Sequence, residues 1–516
     1  MWPLQQDAIM AQRAHLDAYQ QGLSHSAHGR HALAIASFER ALAAQPNDMR
    51  VLFALGNTAR ELGLSRPAEA FYRRVLAREP DRLEAIVNLA NLLRAEGRFA
   101  DARRLVEAAL VTRARSAELW LTLGAALCES GEPEQAGDCY RKALDLRPDY
   151  SPALGNLADL LADDGRIEEA LSLYGRLLRK DSENAQARLN RSILHLRRGD
   201  LKAGWRDYEA RLCAGKAPRR DHRIPRWKGD PLQGQTLLVM AEQGIGDQIM
   251  FASMIADLSM TAHAAGGCVI LECEPRLEAL FARSFPLANV HGWDSQTLGG
   301  KAVMRYGWLE ERGGATRAIE MGSLPLHLRP DFESFSRTEA YLVPDAAEVA
   351  RWRSEFANLP RPVLGICWRS GGRGGHRALQ YAPLEAWADF VRDWPGSVVC
   401  AQYGAETEEI SQLESMSGKR IVRPPGIDQK NELDRACALL CSLDAVVSAP
   451  TAVSWLAAAA GVFTAKILYS DSWTSFGRDR EPFAPACICC QPRRRGDWKE
   501  SFARAQEELS RRLSGG

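Results

Sequence analysis

The chain has 516 residues, 66 of them Lys or Arg against 65 Asp or Glu, and 46% of its residues are hydrophobic. That length exceeds a single core and suits two or three globular domains. The balanced charge lacks the basic surplus of a general nucleic-acid binder, and no apolar run approaches the roughly 20 residues of a membrane span. The opening residues, MWPLQQ, lack a charged-then-apolar leader, and the 12 cysteines form no paired framework. These features predict a cytoplasmic protein with reduced thiols and no nucleic-acid partner.

From the N-terminus, Ala34, Ala68, Ala102, Ala136 and Ala170 stand 34 residues apart. That is the tetratricopeptide period, in which each helix–turn–helix unit buries its face only against its neighbours. Gly22, Gly56, Ala90, Gly124 and Ala158 form a small column in the same register, and Phe38, Tyr72, Val106, Tyr140 and Tyr174 a bulky one. Small residues let paired helices approach, the bulky column fills between them, and Pro46, Pro80 and Pro148 close three units. Five repeats over about 15–184 and a degenerate sixth pair at about 185–212 are predicted, making 1–212 the repeat domain. Arg188 and Arg211 stand where earlier units are small or apolar, and Trp205 and Tyr208 are placed to pack onto the next domain. Residues 213–233, with Pro218, Pro225 and Pro231, read as a linker anchored by Trp227.

Beyond it, short apolar runs alternate with helical patterns. Strands are predicted at 236–241, 269–272, 362–368, 397–400, 444–448 and 464–468, the βαβ grammar of a parallel sheet. The grammar restarts after about 345, dividing this part into lobes at 234–345 and 346–516 that face a cleft. A last helix at about 499–513 is placed to cross back and brace them.

Three strand ends carry candidate chemistry. Residues 241–249, AEQGIGDQI, hand a strand over to a helix, where ligands of open α/β sheets bind. Gly244 and Gly246 permit a tight turn, and Asp247 falls near the helix start, as a plain cap or as a proton acceptor for a bound hydroxyl. Residues 368–377, WRSGGRGGHR, read as an anion-binding loop or a mobile basic one. Thr451 is a natural N-cap, and the amides of its helix are open to a phosphate, although a capped strand–helix corner explains it equally. Cys487, Cys489 and Cys490 lie in an apolar, strand-like run without the spaced ligands of a metal site.

Taken in order, these segments resemble one family. EQGIGDQIMF at 242–251 is similar to the EQG-[LI]-GD motif of bacterial tetratricopeptide proteins carrying a heptosyltransferase-like glycosyltransferase module. Ser323-Leu324-Pro325 resembles its SLP element, residues 448–461 its alanine-rich helix, and Gln491-Pro492 with Gly496-Asp497-Trp498 its closing tail. Pro450 and Trp455 stand where that family often has Asp and His.

The resemblance implies an α-solenoid followed by two Rossmann-like lobes of GT-B type, transferring sugar from a nucleotide-sugar without a bound metal or other cofactor. It gives Asp247 the role of the acceptor's general base. It assigns Arg369, Ser370, His376, Arg377 and Thr451 to the donor phosphates. The implied acceptor is a surface glycan or a protein recruited by the repeats, with flagellin as one candidate. The alternative is a non-catalytic scaffold with a degenerate module, and a hydrolase or phosphorylase on the same fold is the third reading.

Overall fold

The computed structural model describes residues 2–215, 218–298, 301–336, 338–371 and 380–514. Two compact units divide at Ala187 and Arg188.

The first unit is built of antiparallel helix pairs: Trp2–Ala27 with His31–Ala44, Met49–Glu61 with Ser65–Leu76, Leu83–Ala95 with Phe99–Thr112, Ala117–Glu129 with Pro133–Leu146, and Ser151–Asp163 with Ile167–Lys180. The five alanines of the 34-residue column are fully buried, and so are Phe38, Tyr72 and Val106 of the bulky one. A Cβ on Gly56 would lie 2.7 Å from the Tyr72 ring, and one on Gly124 2.6 Å from the Tyr140 ring. The small column is therefore a steric demand of the ring packed against it. A further column escaped the sequence reading: Gly29, Gly63, Gly97, Gly131, Gly165 and Gly199 all have φ between 68° and 85°. Each sits in the turn inside a helix pair, where only glycine adopts the left-handed conformation without strain.

The third repeat solves the same contact with Ala90 and Val106, which supplies a test. Gly56→Ala should lower the thermal midpoint, because overpacking costs about 1–3 kcal/mol against a helix-propensity gain of about 1 kcal/mol. The double variant with Tyr72→Val should recover about 1 kcal/mol relative to the sum of the singles. Additive behaviour in that cycle would refute the steric account.

The second unit opens with the helices of the degenerate pair, the second of which is Leu201–Tyr208. Its strands follow in chain order: β1 (Arg219–Arg220), β2 (Thr236–Met240), β3 (Cys268–Cys273), β4 (Ala288–Gly292), β5 (Asp294–Leu298), β6 (Lys301–Arg305), β7 (Arg317–Glu320), β8 (Val363–Cys367), β9 (Ser397–Cys400), β10 (Ile421–Val422), β11 (Ala445–Ser448), β12 (Thr464–Ile467) and β13 (Cys487–Cys490). A four-stranded parallel sheet has the order β4-β3-β2-β7, and a six-stranded parallel sheet has β10-β9-β8-β11-β12-β13. β1, β6 and β5 form a small third sheet. This is α/β architecture, and in both larger sheets the order reverses beside the first strand, at β2/β7 and β8/β11. The sequence reading missed β4, β7 and β10 of the two larger sheets, which are short or lie at sheet edges, and all three strands of the small one.

The degenerate pair at 185–212 packs, from Arg188 onward, within the second unit. There Trp205 is buried against Phe476 and Phe483, and its Nε1 donates to the Arg329 carbonyl at 3.0 Å. The closing helix, Trp498–Ser514, packs on the six-stranded sheet through Phe502, which meets Trp387 and Phe390. The joining role falls instead to Tyr341 and Leu342. Their amides donate to Ala459 O at 2.8 and 2.9 Å, and the Tyr341 hydroxyl donates to Ile249 O at 2.9 Å.

Candidate functional site

The carboxyl ends of the two sheets face one cleft of about 490 Å³. Segments that follow six strands line it: Gly246 and Asp247 after β2, Arg276 after β3, Ser370 after β8, Tyr403 after β9, Gln429 and Lys430 after β10, and Thr451 after β11. Both reversal points therefore open into it, where such folds bind ligands.

Asp247 reaches the cleft on the helix Ile245–Ala252, which begins two residues earlier than its own position. It is the third residue of the helix rather than its cap, and its Oδ2 accepts the Gly244 amide at 3.2 Å. It is half-buried. The turn before it is not made as the glycines suggest. Gly244 is extended, with φ −85° and ψ 170°, and the left-handed residue is Gln243, at φ 63°. Gly246 serves close approach instead: a Cβ there would lie 3.2 Å from Trp455 Cδ1. The two helices Ile245–Ala252 and Ala452–Ala459 thus pack together with both amino ends at the cleft. Their aligned peptide dipoles favour an anion there.

Thr451 caps the second of these helices, its hydroxyl accepting the Val453 amide at 3.3 Å. Ser370 lines the cleft, whereas Arg369 is not among the lining residues. Its Nε donates to Glu409 Oε1 at 2.7 Å, and its Nη2 bonds Glu409 and the Gly404 carbonyl. The guanidinium is thereby tied within its own lobe, and Glu409 holds it above its ordinary basicity. The loop begins rigidly, with the Trp368 and Arg369 amides donating to Gln402 Oε1 at 3.0 and 2.9 Å. His376 and Arg377 lie outside the described residues.

The cations that line the cleft are ones the sequence reading did not select. Arg276 donates through Nη1 to the Lys430 carbonyl at 2.8 Å and through Nε to Glu274 at 2.7 Å, drawing the two residues together across the cleft. A scan of every loop after a predicted strand would have reached Arg276 and Tyr403. Lys430 needed β10, a two-residue strand with no periodic signal. Cys487, Cys489 and Cys490 form buried β13, where burial pushes the Cys487 thiol up to about 12.

Family models described as tetratricopeptide repeat match residues 19–82, 66–127, 115–183 and 156–219. A solved thermophilic TPR protein of Thermus thermophilus aligns at 27% identity and a TM-score of 0.32, covering 35% of this chain and 99% of that one. A segment of 79 residues is 42% identical to the Pseudomonas aeruginosa protein named probable biofilm formation methyltransferase WspC, covering 15% of this chain and 19% of that protein. Over 488 residues the chain is 32% identical to Protein FlbA of Caulobacter vibrioides, an alignment spanning 93% of this chain and 82% of the relative. Such identity runs through the repeats and the α/β unit alike, so this tetratricopeptide-repeat chain belongs to the family of Protein FlbA.

Proposed function

We propose that the protein is a glycosyltransferase of GT-B type, moving a sugar from a nucleotide-sugar to a protein or surface-glycan acceptor held by the repeats. The observation that carries this reading is one cleft with a carboxylate on one wall and groups suited to an anion on the other. Asp247 lies on the β2 side; Ser370, Lys430 and the capped helix start at Thr451 lie on the β8–β11 side. In the reaction, Asp247 takes the proton of an acceptor hydroxyl as its oxygen bonds the anomeric carbon. The bond from that carbon to the diphosphate oxygen breaks, and the negative charge gained by the leaving diphosphate falls on helix amides and Lys430. Flagellin is a candidate acceptor on the family resemblance noted for the sequence, and tethering by the repeats would raise its local concentration to about millimolar.

Calorimetric titration of the full chain with nucleoside diphosphates and nucleotide-sugars tests the donor side. One of them should bind, and Lys430→Ala should weaken it about tenfold by removing a charge-assisted contact of roughly 1.5 kcal/mol. Binding by none would favour the scaffold reading. That reading has its own support in Trp455, which stands where the resembled family often has His, lines the cleft and has its ring 3.9 Å from Lys466 Nζ.

A further inference from the structure

We infer that Tyr208 and Arg211, at the end of the degenerate helical pair, are positioning residues that set the turn leading into the helix that carries Asp247. The inference rests on the catalytic reading only for its effect on turnover; the clamp itself stands on geometry. Two motifs noted in the sequence, EQG at 242–244 and SLP at 323–325, find a joint explanation here. Arg211 is buried, and its Nη2 donates both to Glu242 Oε1 at 2.5 Å and to Ser323 Oγ at 2.7 Å. Glu242, also buried, accepts the Gly322 amide at 2.8 Å through the same oxygen, and the Ser323 hydroxyl donates to Glu209 at 2.6 Å. One guanidinium therefore ties together the loop after β2 and the segment after β7, the two strands at the reversal point of the four-stranded sheet.

Tyr208 holds the next residue. The Gln243 amide nitrogen donates to the Tyr208 hydroxyl at 3.0 Å, and its oxygen lies 3.2 Å from the same group. Gln243 is the residue forced to φ 63°, a conformation that persists only where the surroundings over-determine it. Tyr208 is itself immobilised, with its ring 4.7 Å from the Arg211 guanidinium and 5.5 Å from Trp473. Four residues beyond Gln243, Asp247 projects into the cleft. Freeing Gln243 would let the turn relax toward negative φ and shift the start of the helix. A displacement of about 1 Å at a reacting group can cost up to about a hundredfold in rate.

The test uses the full chain with Tyr208→Phe, which removes one hydroxyl, and Arg211→Lys, which keeps the charge but not the fork. Hydrogen exchange should quicken about tenfold in peptides covering 241–252, with the six-stranded sheet unchanged. Turnover should fall about tenfold at unchanged nucleotide affinity, with Arg211→Lys retaining more than Arg211→Met. Unchanged exchange at 241–252 would overturn the clamp, and so would protection lost evenly through the whole unit, the mark of an ordinary core residue. Faster exchange with wild-type turnover would overturn the positioning role. If the wild-type protein transfers no sugar at all, the catalytic reading fails, and the exchange comparison still decides the clamp.

Discussion

Asp247→Asn should abolish sugar transfer while leaving the protein folded and its nucleotide titration unchanged. Asparagine keeps an oxygen to accept the Gly244 amide, so the first turn of Ile245–Ala252 retains its local bond. What disappears is proton-accepting capacity, which in general-base catalysis is worth about 10²–10⁴-fold in rate. Loss of the charge beside the helix start costs only about 0.3–1 kcal/mol, too little to unfold the unit. The measurement is the intact mass of acceptor protein from cells carrying the variant, compared with wild type and a deletion strain. Full sugar occupancy in the variant would remove Asp247 from the mechanism, and a lowered melting point with lost nucleotide binding would mark it as a structural residue.

A second large effect is expected away from the acceptor side. Lys466 on β12 is almost fully buried, and its Nζ lies 2.7 Å from Oε1 of the fully buried Glu481. Burial works against the ammonium, but the Glu481 carboxylate outweighs it and holds Lys466 above the usual lysine range. The Thr474 hydroxyl donates to the same Glu481 oxygen at 2.8 Å. Lys466→Met would strand that carboxylate without its counter-ion, a change that costs about 3–5 kcal/mol. In hydrogen exchange this appears as opening of β12 and β13 made easier by about two to four powers of ten. Replacing both partners, Lys466→Met with Glu481→Leu, should restore most of the protection, since two apolar side chains need no partner. A single variant as stable as wild type would overturn this account of the buried pair. Because the Trp455 ring lies over Lys466 at the cleft wall, the single variant should also weaken nucleotide binding.

The repeats were legible in the sequence because their contacts recur at one interval. The burial of Ala34 and Phe38 is repeated at Ala68 and Tyr72, so one local rule is printed several times. The central strands were legible for a related reason: β2, β8 and β11 are covered on both faces and read as unbroken apolar runs. Edge elements such as β10 were not, since two residues carry no period. Site prediction followed the same divide. Asp247, Ser370 and Thr451 stand directly after central strands, and they meet in one cleft. Arg369 stands in an equivalent place, yet Glu409, 40 residues along the chain, takes its guanidinium.

By itself the sequence determined the period of the helices, the apolar strands and the rule that chemistry gathers where central strands end. All of these are properties of neighbouring residues or of fixed spacings. Tertiary structure alone decided which charges face the cleft. Arg276 and Lys430 come together from 154 residues apart, and Arg369 is withdrawn by a partner on another element. It also moved the strained backbone from the expected glycines to Gln243 and brought Tyr208 and Arg211 to the turn before Asp247. The reason is physical: a side chain's availability depends on what packing sets beside it, and packing joins residues whose distance along the chain carries no pattern.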